Sequence, residues 1–148
     1  MPDIRWRHDG AKLIVRAVVL PLVGAPNEGQ AFEVRGLIDT GATSSGITPL
    51  VSEKLALPSL GKKPVQTAGG LVQADRFGFR LGFFPDEENL PWVDEPTPSF
   101  PHILAQSIYG IGLTTNGNFE LIIGMDVLGR NHLEMLPDRS CRFSFEVG

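Results

Sequence analysis

The sequence has one cysteine, Cys141, so no intramolecular disulfide can form. Its three histidines, His8, His102 and His132, are scattered and have no cysteine beside them, which leaves no zinc-type ligand spacing. A fold without metal or cofactor, in a reducing compartment such as the cytoplasm, is the expectation. A basic excess is also missing. Thirteen Lys and Arg stand against seventeen Asp and Glu, for a net charge of −4, and no basic block accumulates, which disfavours a nucleic-acid partner. No apolar run is long enough to span a bilayer, so no membrane partner is expected. The most apolar window, Leu13 to Ala25, contains Arg16 and Pro21 and follows a start diluted by Asp3 and Asp9, a poor pattern for a cleaved leader. What is present is enough apolar material, 42% of residues, to close a core, because a chain of about 150 residues hides roughly two-thirds of its unfolded surface. Residues 1–148 are therefore expected to form a single domain.

Seventeen glycines and twelve prolines among short apolar runs predict an all-β protein of short strands and turns. Lys12 to Leu20 and Ala31 to Ile38 read as a strand pair around the turn Pro26-Asn27-Glu28-Gly29. Thr48 as N-cap and Pro49 at the first helical position predict one short helix that Pro58 stops. Pro64 to Thr67 and Leu71 to Phe83 flank Ala68-Gly69-Gly70, the pattern of a hairpin with a glycine tip. Residues 85–101 hold five prolines and five acidic residues and read as a solvated loop insertion, in which Trp92 either covers an apolar patch or meets substrate. Strands are expected again at His102 to Tyr109, Phe119 to Ile123, His132 to Leu136 and Cys141 to Val147, with a helical turn near Val127 and Leu128. Pro137-Asp138-Arg139 makes the last turn.

The chemistry-bearing stretch runs from Leu37-Ile38 through Asp39-Thr40-Gly41-Ala42, where an apolar strand ends in a carboxylate and small residues follow. Taken alone, Asp-Thr-Gly is equally a plain turn. A second apolar strand, Leu121-Ile122-Ile123, ends in Gly124 and passes into Met125-Asp126-Val127-Leu128. The order of Asp-Thr-Gly-Ala, helix, glycine-tipped hairpin and Ile-Ile-Gly resembles the retropepsin-like aspartic proteases, and most closely their bacterial members with Ile-Ile-Gly-Met-Asp-Val-Leu.

The resemblance implies a closed, all-β retropepsin-like barrel with one short helix and one lobe per chain. It implies an aspartic endopeptidase acting on extended polypeptide segments. Peptide hydrolysis without a covalent intermediate needs one group to take a proton from water and another to protonate the carbonyl oxygen, and two carboxylates sharing one proton supply both. This chain has one such triplet, so the resemblance implies a homodimer with the two Asp39 side chains on its twofold axis. Thr40 would bond across the dimer, and Gly41 would allow close approach of its mate. Ala42 has no hydroxyl to favour the charged carboxylate, which predicts an optimum less acidic than that of pepsins. Gly69 and Gly70 would form the tip of a flap over a peptide or protein substrate. Gly124 would pack beneath the Asp39 loop, with Ile122 and Ile123 as structural supports. Ile47, Val65 and Leu71 are expected pocket walls, Asp126 is a helix cap rather than a second catalytic carboxylate, and the terminal segments, Met1 to Arg7 and Phe143 to Gly148, are expected to interleave between subunits. The rival from another class is a catalytically silent dimer of the same fold that binds a peptide or protein.

Overall fold

The computed structural model describes residues 2–84 and 100–148. The expected acidic loop, apart from Phe100 and Pro101, lies outside the described residues, as does Trp92. Eleven strands and two helices are present among the described residues. Strand β2 (Ile14–Pro21) and strand β3 (Phe32–Ile38) pair antiparallel in the register Ile14 to Leu37. Side chains of a strand alternate between its faces, so Val34, Gly36 and Ile38 of β3 point inward while Glu33 and Arg35 face solvent.

Strand β4 (Gly46–Ile47), helix α1 (Pro49–Lys54), strand β5 (Lys62–Thr67) and the long strand β6 (Gly70–Phe83) follow. After them come β7 (His102–Ile103), β8 (Ile108–Gly112), β9 (Leu121–Ile123) and helix α2 (Met125–Leu128). The path β2-β3-β9-β4-β8-β6 is joined end to end, because β6 also pairs with β2, Ala17 opposite Phe83. The result is a retropepsin-like barrel in which β3 runs parallel to β9 and β4 parallel to β8.

Strand β6 changes role along its length. From Phe77 to Phe83 most of its residues are buried in the barrel wall, whereas Leu71, Val72 and Gln73 are exposed and belong to a two-stranded arm with β5. A smaller sheet of order β1-β11-β10 closes the molecule, from β1 (Asp3–Arg7), β10 (His132–Met135) and β11 (Ser140–Ser144). Its inward residues Ile4, Trp6, Cys141 and Phe143 join the barrel residues in one hydrophobic cluster. Phe83, Phe143 and Phe145 meet there with ring centroids 5.3 Å apart, a spacing at which tilted aromatic pairs attract.

Four expectations need correction. The helix ends at Lys54 rather than running to Pro58, because Ala56 turns to φ 48° and the amides of Ala56 and Leu57 close the last turn on Glu53 and Ser52. Thr48 occupies the N-cap, yet its hydroxyl caps nothing and is buried without a partner. The strand expected over His102 to Tyr109 is two strands, since the chain turns from β6 to the tail at Leu104, whose amide still donates to Leu81 at 2.8 Å while it bridges Val147, and the amide of Ala105 donates to Glu146. The terminal segments pair with one another inside the chain, Ile4 opposite Phe143 and Trp6 opposite Cys141, so β11 already has neighbours on both edges. No helix among the described residues is long and apolar enough to cross a membrane.

Candidate active site

Asp39 follows directly on β3, and its amide donates to the carbonyl of Ile123 on the neighbouring parallel strand β9, at 2.9 Å. The apolar strand end thus sets the backbone of the carboxylate. The side chain is set by its own loop, since the amide of Gly41 donates to Asp39 Oδ1 at 2.9 Å and the amide of Ala42 to the Asp39 carbonyl at 3.2 Å. A carboxylate bound in this way keeps one orientation while its other oxygen has no hydrogen-bond partner among the described residues. Asp39 is half-buried, and Thr40 and Gly41 are exposed. The Thr40 hydroxyl makes no hydrogen bond among the described residues.

Beneath the loop lies Gly124, buried, at the junction of β9 and α2. A Cβ there would come within 2.8 Å of the Ala42 carbonyl oxygen and the Ser44 carbonyl carbon, both backbone, so only glycine fits without moving the loop. The first amides of α2 then meet the same loop, Met125 donating to the Ala42 carbonyl at 2.8 Å and Asp126 to that of Thr43 at 3.2 Å. Ile123 is buried and Ile122 half-buried on β9.

The N-cap of α2 is Gly124, not Asp126, which sits in the first turn and accepts the amide of Val127 there at 3.0 Å. Its carboxylate also accepts the amide of Ser45 at 3.0 Å and the hydroxyl of Ser45 at 2.7 Å. The sequence pointed at Asp126 but not at Ser45, because the two are 81 residues apart and nothing in the small-residue run distinguishes Ser45 from Ser44.

The β5–β6 arm turns through Ala68 and Gly69, with Thr67 opposite Gly70 and Gly70 at φ +115°, a value that a Cβ would strain. Ala68 and Gly69 are exposed. Of the expected pocket walls, Val65 is half-buried and Leu71 is 67% exposed, but Ile47 is fully buried against the core and lines no open surface. Among the described residues no cluster of three or more His, Cys, Asp or Glu side chains could hold a metal ion.

Residues 24–81 match the family model described as aspartyl protease, a span that takes in Asp39-Thr40-Gly41, α1 and the β5–β6 arm. The structure superimposes on the crystal structure of a retropepsin-like aspartic protease from Rickettsia conorii with a TM-score of 0.59 at 15% identity, covering 99% of this chain and 94% of the other. The fold is that of the retropepsin-like aspartic proteases. A retroviral protease-like domain of Ddi1 from Leishmania major overlaps with a TM-score of 0.44 at 18% identity, over 86% of this chain and 82% of that one. No curated protein matches the chain by sequence. The family match and the retropepsin-like fold together support a protease-type function.

Proposed function

We propose that this retropepsin-like chain is an aspartic endopeptidase, in which a water held between the Asp39 carboxylates of two copies attacks a peptide carbonyl in an extended segment. The observation that carries the reading is the Asp39 loop: a carboxylate fixed on one oxygen by the amide of Gly41, with exposed Thr40 and Gly41 beside it and a rigid base of β9 and α2 below. One carboxylate can act as general base or as general acid, but the reaction needs both at once, and the second comes from the partner copy. One Asp39 then accepts the water proton while its protonated mate donates to the carbonyl oxygen, and the roles are restored when the amine departs. Thr40, whose hydroxyl is unpartnered within the described residues, bonds across the twofold axis, and Gly41 admits the close approach of the mate. The β5–β6 arm, with its exposed tip at Ala68 and Gly69 and the apolar Leu71 and Val72 behind it, closes over the bound segment. Its loose half pairs only with β5, so it can move while the rest of β6 stays in the barrel.

The test is cleavage of a mixed peptide library between about pH 4 and 7, read by mass spectrometry, comparing the wild type with Asp39→Asn. Cleavage present in the wild type, insensitive to a chelator and reduced at least about a thousandfold in the variant is the expected outcome. Wild-type cleavage that persists in Asp39→Asn would overturn the reading. A folded dimer that cuts nothing in the library would favour a peptide-binding role for the same groove.

A further inference from the structure

We propose that Asp126 and Ser45 act together as a positioning pair that holds the Asp39 loop in its working geometry. The proposal rests on the aspartic protease reading of that loop. Ser45 is fully buried and every polar atom it has is used. Its amide donates to Asp126 Oδ2 at 3.0 Å, its hydroxyl donates to Asp126 Oδ1 at 2.7 Å and accepts from the amide of Gly124 at 3.0 Å, and its carbonyl accepts from Ile111 of β8 at 3.0 Å. One residue thus joins the catalytic loop to α2, to the β9 terminus and to β8. The carboxylate of Asp126 is as fully engaged, since Oδ1 also accepts the amide of Val127 at 3.0 Å. From the far side Gln106 Nε2 donates to the Asp126 carbonyl at 2.9 Å and fixes the helix on which the carboxylate is mounted.

Both oxygens of Asp126 are thus held inside the fold, Oδ1 by two donors and Oδ2 by one, unlike Asp39, whose second oxygen makes no hydrogen bond among the described residues. These contacts bear on Asp39. The segment from Ala42 to Ser45 is fastened to α2 at Ala42, Thr43 and Ser45, and the amide that orients the Asp39 carboxylate, that of Gly41, is the peptide immediately before it. Loss of the Asp126 carboxylate strands a buried N–H and a buried hydroxyl of Ser45 without acceptors, so the segment must shift until they find water or another partner. A displacement of about 1 Å at a catalytic group costs on the order of a hundredfold in rate. Neither residue touches substrate in this arrangement, so the loss falls on kcat and not on KM.

The experiment compares Asp126→Ala, Asp126→Asn, Ser45→Ala and the double alanine variant with the wild type on peptides that the wild type cleaves. The expected result is a kcat lower by roughly 10- to 100-fold in Asp126→Ala with KM within about twofold. Asp126→Asn should recover part of the loss, because its amide oxygen still accepts one of the two Ser45 donors. The double variant should be no worse than the poorer single one, as for residues that work as a unit. Hydrogen–deuterium exchange over residues 39–46, measured also in the Asp39→Asn background, gives a second readout that needs no activity. Exchange there should quicken in Asp126→Ala while β2 and β6 keep their protection, and if Asp126→Ala does not fold, Asp126→Asn provides the same comparison. Unchanged kcat with unchanged exchange in a folded variant would overturn the pairing, as would a loss confined to KM. Cleavage that survives Asp39→Asn would instead remove the protease reading and leave the exchange result to judge the pair by itself.

Discussion

At the scale of single residues, the site depends on a glycine that carries no chemistry. A Cβ at Gly124 would press within 2.8 Å of backbone atoms of Ala42 and Ser44, and neither can retreat as a flexible side chain could. Gly124→Ala is expected to destabilise the fold by about 1–3 kcal/mol, the usual cost of overpacking, and to lower cleavage more than the folded fraction falls, because the Asp39 loop is what must move. Thermal unfolding and cleavage rate measured on the same preparation check this. Gly117, with open space around it and no positive φ, is the control, and its alanine variant should lie within about 0.5 kcal/mol of the wild type. Asp39, Gly41, Ile123 and Gly124 could be picked out by residue type, since strand-end carboxylates and glycines after apolar strands are local patterns. Ser45 could not, because its importance arises only when α2 and β8 fold onto it. Cys141 is buried, and that burial, with a smaller contribution from Asp138, raises its thiol above the ordinary range and disfavours the reactive thiolate.

At the scale of elements, the β5–β6 arm and the terminal sheet behave differently. The arm was visible in the sequence because a glycine-tipped hairpin is a local pattern, and the structure lengthens its first strand back to Lys62. Of the terminal sheet, the β10–β11 hairpin was visible through its turn at Pro137-Asp138-Arg139, but the place of β1 was not, since it pairs with β11 about 140 residues further on, and a short alternating run carries no mark of so distant a partner. Its turns sit together, the amide of His8 donating to the Arg139 carbonyl at 3.1 Å. In the same turns Asp9 accepts the amides of Ala11 and Lys12, and Asp138 accepts the hydroxyl and amide of Ser140. The amides of Lys12 and Ala11 lower the pKa of Asp9, and the hydroxyl and amide of Ser140 lower that of Asp138, each from an ordinary value of 3.8. A carboxyl group whose folded value is depressed stabilises the fold above its unfolded value and loses that contribution as pH falls through the folded one. The terminal sheet is therefore expected to loosen below pH 3.8 and to be unaffected by these groups between pH 4 and 7. Thermal melts across pH 2.5 to 7 on the wild type and on Asp9→Asn with Asp138→Asn test this, the double variant being expected to show the shallower acid slope.

At the scale of the whole molecule, the proposed reaction needs two carboxylates, and under that proposal a second copy of the chain supplies the second one. Activity per protomer is expected to fall steeply on dilution through the dimer dissociation constant, with sedimentation of the same samples showing the shift to monomer. Specific activity independent of concentration down to a demonstrated monomer would exclude a shared site. Removing the last six residues is no test of this interface, because it deletes Phe143 and Phe145, both buried in the core, and loss of one such phenylalanine side chain costs about 3–5 kcal/mol. The sequence by itself determined the class of the fold, the position of Asp39 at a strand end and the hairpin above it, because each rests on propensities and periodicities within some twenty residues. Only the tertiary structure decided that β6 pairs with β2, that the chain ends pair with one another and that Asp126 clamps Ser45. Those contacts join segments from about 60 to about 140 residues apart, and their partners are selected by packing and by the need to satisfy buried polar groups, neither of which any local stretch encodes.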